Sequence, residues 1–236
     1  MKLLTNGCSF TQGIYDNFNE QDTWPYQLAD KLGWQVDNLA EGGGSNARIF
    51  RTTMEYLLDN TPDYVAIAWT QHDRHELPYH TGDIIRIMHS MAFPEHDESV
   101  TDIPELREFW YRHCDNNLAG LARTVYYIRS LIMLLEAKGI PYTMCWAMQC
   151  DYITQLQIPG HPMCKDFDAV KARELTLAID NMQTANWLKW GSCMEQCLED
   201  LPKADALGHP GLEGQTTWAN LMLESINETL CNTCQR

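Results

Sequence analysis

The sequence has few basic side chains, no long apolar run and no leader-like start, and each lack removes a class of function. Seventeen Lys and Arg stand against 32 Asp and Glu, a formal net charge of −15 at pH 7. A field of that sign repels phosphate backbones and anionic lipid heads, so nucleic acid is not expected as a partner. Neutral substrates such as esters, acyl groups or sugars suit it. No apolar run approaches the ~20 residues of a membrane helix, so no membrane partner is expected either. The start, Met1-Lys2-Leu3-Leu4-Thr5-Asn6-Gly7, is interrupted by Asn6 and Gly7 before any cleavage-site pattern, unlike a secretory signal. The nine cysteines are an odd number, so they cannot all pair internally. Without an export signal they read as reduced thiols of a cytoplasmic protein. Repeats, low-complexity linkers and a domain boundary are also missing, so residues 1–236 are expected to form one domain.

What is present is an alternation of strand and helix signals. Residues 2–6 are a short apolar run that ends at Gly7-Cys8-Ser9, as a buried strand running into a turn does. Asp22 or Thr23 caps a helix that suits Pro25 in its first turn and ends at Gly33, with Trp24, Leu28 and Leu32 on one face. Residues 34–39 read as a second strand, 41–46 as a glycine loop and 47–58 as a second helix. Tyr64–Trp69 is continuously apolar, as expected of a parallel strand covered on both faces. Residues 118–137 read as a long helix, 141–148 as a fourth strand and 212–230 as a closing helix. This order argues for right-handed βαβ units and a parallel sheet. Two stretches, about 71–115 and 151–203, have no clean period and read as insertions.

Ligands of open α/β sheets bind beyond the carboxyl ends of the strands. Three loops lie at such ends: Gly7 to Thr11, Asn38 to Asn46, and Thr70 to Arg74. A serine on a tight strand-to-helix turn offers its hydroxyl and its own N–H to one point, as a nucleophile that helps hold an oxyanion should. Near the other end stands Asp205-Ala206-Leu207-Gly208-His209-Pro210-Gly211. There His209 is placed to deprotonate Ser9, with Asp205 orienting the imidazole. Cys8 is expected to be buried behind Ser9, because neighbouring side chains at a strand end face opposite sides.

These segments resemble the SGNH or GDSL-like hydrolases. Gly7-Cys8-Ser9-Phe10 is similar to that family's first block, with Cys8 where an aspartate usually stands. Asn38-Leu39-Ala40-Glu41-Gly42-Gly43-Gly44-Ser45 is similar to the second, which puts the oxyanion-hole glycine at Gly43. Pro62 to Trp69 resembles the strand into the third block, and Asp205 to His209-Pro210, with Gly214 and Ala219, resembles the fifth. The resemblance covers both ends and leaves most of 75–200 unmatched. It implies an α/β fold, a three-layer α/β/α (flavodoxin-like) domain with a central parallel sheet. It also implies catalysis by Ser9, Asp205 and His209 through an acyl-serine, with no metal and no cofactor, on a small-molecule or glycan ester. The oxyanion hole would be Ser9, Gly43 and a third donor. His72 stands where the family has an asparagine, with Thr70 as the alternative. Asp205 lies four residues before His209, where the family has three. From the same loop, Arg74 is expected to be tied to a carboxylate. The variant blocks and insertions resemble phage-type members, which would place the protein in the host cytoplasm or virion.

Other patterns carry competing readings. The triple glycine lacks the Gly-Lys-Ser/Thr ending of a phosphate loop and follows the second strand. His72, His75 and His80 with Asp73 and Glu76 offer metal-ligand chemistry, although a polar lid uses the same residues. Cys193 and Cys197 with Cys231 and Cys234 are two pairs that together make a Cys₄ set. Trp187 and Trp190 suit packing. The rival functions are a non-catalytic SGNH-fold binding or virion-associated protein and a metal-dependent enzyme built on the histidine-rich insertion.

Overall fold

The computed structural model describes residues 1–13, 18–78, 84–87, 104–114, 117–148, 182, 186–188, 193–206 and 208–233. The sheet has four parallel strands in the order β2-β1-β3-β6: β1 (Lys2–Asn6), β2 (Gln35–Asn38), β3 (Tyr64–Trp69) and β6 (Tyr142–Trp146). Between them run the single turn α1 (Ser9–Gln12), then α2 (Trp24–Leu32), α3 (Asn46–Asp59) and α5 (Asn117–Lys138). The closing helix is α7 (Leu212–Thr233). Beyond β6, Trp187 and Cys193 bridge in parallel to Met144 and Trp146, which starts a fifth rank on that edge.

Strand β3 shows why the fold has three layers. Its side chains alternate between the faces, and all six residues are fully buried. Tyr64, Ala66 and Ala68 pack with Trp24, Leu28, Trp218, Met222 and Ile226 of α2 and α7. Val65, Ile67 and Trp69 pack with Ile49 and Leu57 of α3 and with Val125, Ile128 and Leu131 of α5. Each buried Leu, Ile or Val contributes about 1.5–3 kcal/mol by leaving water, so the double-sided strand anchors both cores. The fold class expected from the alternation is the one observed. Among the described residues no helix is long and apolar enough to cross a membrane.

Two local expectations change. Thr23 does precede α2, but its hydroxyl donates to the Glu20 carbonyl at 2.8 Å, and the Trp24 N–H is met instead by Gln215 Oε1 from α7 at 2.9 Å. The stretch read as aperiodic from residue 71 contains an antiparallel hairpin, β4 (His75–Pro78) with β5 (Ile84–Ile87), followed by α4 (Pro104–Phe109) and a π-helical turn, Trp110–Cys114. Of the segment 151–203, only 182, 186–188 and 193–203 fall within the described residues, and they include the short helix α6 (Met194–Cys197).

Candidate active site

Ser9 begins α1 directly after β1. Gly7 makes this turn possible: a Cβ there would stand 2.2 Å from Thr11 Oγ1 and 3.1 Å from the Ala68 carbonyl. The Thr11 and Gln12 N–H groups donate to the Cys8 carbonyl at 2.9 and 3.0 Å, closing the turn, and the Cys8 side chain is fully buried in the core beneath α2 and α7.

The glycine loop lies alongside. Gln12 reaches from α1 to accept the Gly42 N–H at 2.5 Å, and the Gly44 N–H donates to the Glu41 carbonyl at 2.9 Å. Gly43 sits between them at φ 70°, a left-handed conformation that favours glycine. Its N–H has no hydrogen-bond partner among the described residues. Arg48 braces the loop by donating to the Leu39 carbonyl at 2.8 Å and pairing with Glu41 at 2.5 Å, while Ser45 caps α3 by accepting the Arg48 N–H. Asn38 fastens the loop's start to α1, its amide donating to the Thr11 carbonyl at 3.3 Å.

The third member comes from the turn before α7. Ser9 Oγ and His209 Nε2 are 2.9 Å apart, and His209 Nδ1 is 2.6 Å from Asp205 Oδ2. The other Asp205 oxygen accepts the His209 backbone N–H at 3.2 Å. The fourth residue of spacing is absorbed in the turn, where Gly208 takes φ 82° and donates to the Asp205 carbonyl. A small closed loop holds the turn, with the Ala204 N–H donating to the His209 carbonyl at 2.8 Å and the Gly211 N–H to the Pro202 carbonyl at 3.0 Å. The His209 side chain is only 13% exposed, and its ring lies against Phe10, centroids 5.4 Å apart. Gln215 joins the two ends of the chain, donating to the Phe10 carbonyl while it accepts from Trp24.

The third loop is organised by Asn46. Its amide accepts the Thr70 N–H at 2.8 Å and donates to the Thr70 carbonyl at 2.9 Å and to Thr124 Oγ1 at 3.1 Å. Sequence reasoning treated Asn46 only as the end of the glycine loop. A buried Asn opening a helix beside a strand end was the available signal. Thr70 is buried with its hydroxyl toward Met148 Sδ. His72 is 3% exposed and presses against α5, where a Cβ on Gly120 would meet its ring carbon at 3.1 Å. It lines a cavity of about 130 Å³ whose walls do not include Ser9 or Gly43. Arg74 departs from expectation: its Nη2 donates to Met148 Sδ at 2.9 Å, and no carboxylate pairs with it among the described residues. The sulfur of Met148 occupies the place where an ion-pair partner was expected.

Among the described residues, no group of three or more His, Cys, Asp or Glu stands together as a metal site would require. His80 and Cys234 lie outside the described residues. The Cys193 sulfur caps α6 by accepting the Gln196 N–H, and burial pushes its thiol up to about 11. Trp187 stacks on Trp146, centroids 5.5 Å apart; Trp190 lies outside the described residues.

A family model, described as a family of unknown function (DUF6071), matches residues 4–227. The chain belongs to this family. No curated protein sequence matches it. Solved structures do: EstA, a psychrotrophic esterase from Pseudoalteromonas sp., is 13% identical over 97% of this chain and 98% of its own, with a TM-score of 0.55. TesA is 14% identical over 98% of both chains, TM-score 0.54. Axe2, an acetylxylan esterase from Geobacillus stearothermophilus, is 16% identical over 95% of this chain and 93% of its own, TM-score 0.52. At these identities the likeness shows the fold alone, a parallel α/β architecture that this chain shares with them along nearly its whole length.

Proposed function

We propose that this protein is a serine acyl hydrolase acting on a small or carbohydrate-linked ester. The observation that carries the reading is the line from Ser9 Oγ to His209 Nε2, 2.9 Å, and from His209 Nδ1 to Asp205 Oδ2, 2.6 Å. His209 takes the Ser9 proton as Oγ attacks the acyl carbon, and Asp205 holds the imidazole with Nε2 facing the serine. The oxyanion of the tetrahedral intermediate accepts the Ser9 and Gly43 N–H groups. His209 then gives its proton to the leaving alcohol, and a water activated by the same imidazole releases the acid from Ser9. The likeness in fold to an esterase and an acetylxylan esterase supports this class of substrate.

The family resemblance would add His72 as a third donor. Its ring lies in the wall of a cavity that neither Ser9 nor Gly43 lines, so we assign the oxyanion to the two backbone donors alone. The test is intact-mass measurement after treatment with a fluorophosphonate. One phosphonyl adduct on the wild type, absent from Ser9→Ala and His209→Ala, is the expected result. An unlabelled wild type that also cleaves no short-chain aryl ester would favour the non-catalytic reading of the fold.

A further inference from the structure

A second polar centre is the cavity of about 130 Å³ lined by residues of β4, α3, α5 and the π-helical turn. Its wall includes Arg74, Glu76, Trp110 and Thr124. Arg74 is 8% exposed, and its Nη1 is buried without a hydrogen-bond partner. Removing a guanidinium from water costs several kcal/mol unless an anion and further hydrogen bonds compensate, and a thioether sulfur is a weak acceptor. The Trp110 indole N–H is likewise buried and unpartnered. Thr124 Oγ1 accepts from Asn46, and no acceptor for its own hydrogen is found among the described residues. Glu76 Oε1 is a buried acceptor in the same position, and the His72 ring, which donates or accepts according to its tautomer, also belongs to a lining residue. The Glu76 charge is compensated from outside the cavity by Arg51, 3.3 Å from Oε2. Arg123 adds a second guanidinium to the lining, donating toward His75 Nδ1 at 3.3 Å.

We propose that this cavity is a binding site for a small carboxylate, with the Arg74 guanidinium as its anchor and the Trp110 indole N–H and Thr124 hydroxyl as further donors. Three donors against the one carboxylate of the wall ask for an electron-rich occupant. A planar carboxylate matches the guanidinium fork, and a monoanion suffers less than a phosphate dianion from the Glu76 carboxylate in the wall. The wall is made largely of polar and charged side chains, which suits a short acid rather than a fatty acid. Ser9 and Gly43 do not line the cavity, so the site stands independently of the hydrolase reading.

The full chain is titrated with sodium acetate and, separately, with phosphate, chloride holding ionic strength constant. Calorimetry and the thermal midpoint are the readouts. Saturable acetate binding with a rise in midpoint is expected. Arg74→Met should weaken it about 10- to 100-fold, the loss typical of a charge-assisted hydrogen bond, and Arg74→Lys should fall between. In the wild type, the Trp110 indole N–H resonance should shift with acetate and not with chloride, a readout that needs no variant to fold. Absence of saturation, meaning a cavity filled by water alone, would overturn the proposal. So would equal affinity in Arg74→Met, saturation by phosphate without acetate, or an unmoved indole resonance.

Discussion

Around Ser9 the polar groups are joined end to end: serine to imidazole, imidazole to carboxylate, carboxylate to the backbone of its own turn. On the other side of β3, around Arg74, residues lining one cavity hold a guanidinium nitrogen, an indole N–H and a carboxylate oxygen that are buried without partners. The same sheet carries both centres, and they differ in what a ligand would add. The first is already joined without a ligand, which is the preorganisation that the proposed relay would require. The second gains its missing hydrogen bonds only when occupied.

The comparison breaks most sharply if the relay can be removed at little cost. Ser9→Ala and His209→Ala should each lower turnover on a short-chain ester on the order of 10⁴- to 10⁶-fold, and the double variant should be little worse, because parts of one device are not additive. Steady-state kinetics on the three proteins check this. Wild-type turnover in Ser9→Ala would end the hydrolase reading, and Cys8→Ala should stay active because that thiol is buried in the core. Asp205→Ala should cost less, about 10²- to 10⁴-fold, since the imidazole still reaches the right tautomer part of the time. Asp205 is 29% exposed at its side chain, so water replaces part of its hydrogen bonding. A loss as large as that of His209→Ala would mean that the carboxylate does more than orient.

The two centres were unequally legible from sequence. β1 and β3 are apolar runs ending at loops, and the loops they feed can be read from glycine, serine and histidine alone. The line of contacts from Ser9 to His209 to Asp205 could be anticipated because few residue types make such a chain. The hairpin at 75–87 was invisible because Pro78 and Arg86 interrupt any alternation. Gln12, Asn46 and Gln215 were missed for a different reason: an amide side chain acquires its role from the backbone groups that the fold brings to it. Arg74 shows the same limit, since its place in the third loop suggested a carboxylate and packing supplied Met148.

Asn46 is the joint between the two centres, tying the third loop to α3 and α5. Asn46→Ala removes four hydrogen bonds at a position 2% exposed and leaves both backbone groups of Thr70 without this partner. Each buried group left unsatisfied costs about 1–3 kcal/mol, so a total of about 2–4 kcal/mol is expected after partial relaxation. Urea unfolding measures it. Stability unchanged within about 0.5 kcal/mol would show that the third loop is held by other contacts.

His72 gives the smallest and most discriminating effect, because its two roles predict different readouts. If its ring donated to the oxyanion, His72→Ala would lower turnover about 100- to 1,000-fold and leave folding nearly untouched. The residue is 3% exposed and its ring lies against Gly120, so its removal opens space between the third loop and α5. We therefore expect a stability loss of about 1–3 kcal/mol, the usual cost of a large-to-small change that only partly relaxes. Turnover per folded molecule should stay within about tenfold, below the 100-fold that marks a lost oxyanion donor. Unfolding and kinetics on the same preparation separate the cases. His72→Asn should recover little stability, because an amide fills less of the space beside Gly120, whereas recovery of lost turnover by His72→Asn would return the donor role to this position. That outcome would also draw the two centres together, since His72 lines the Arg74 cavity and would then serve Ser9 as well.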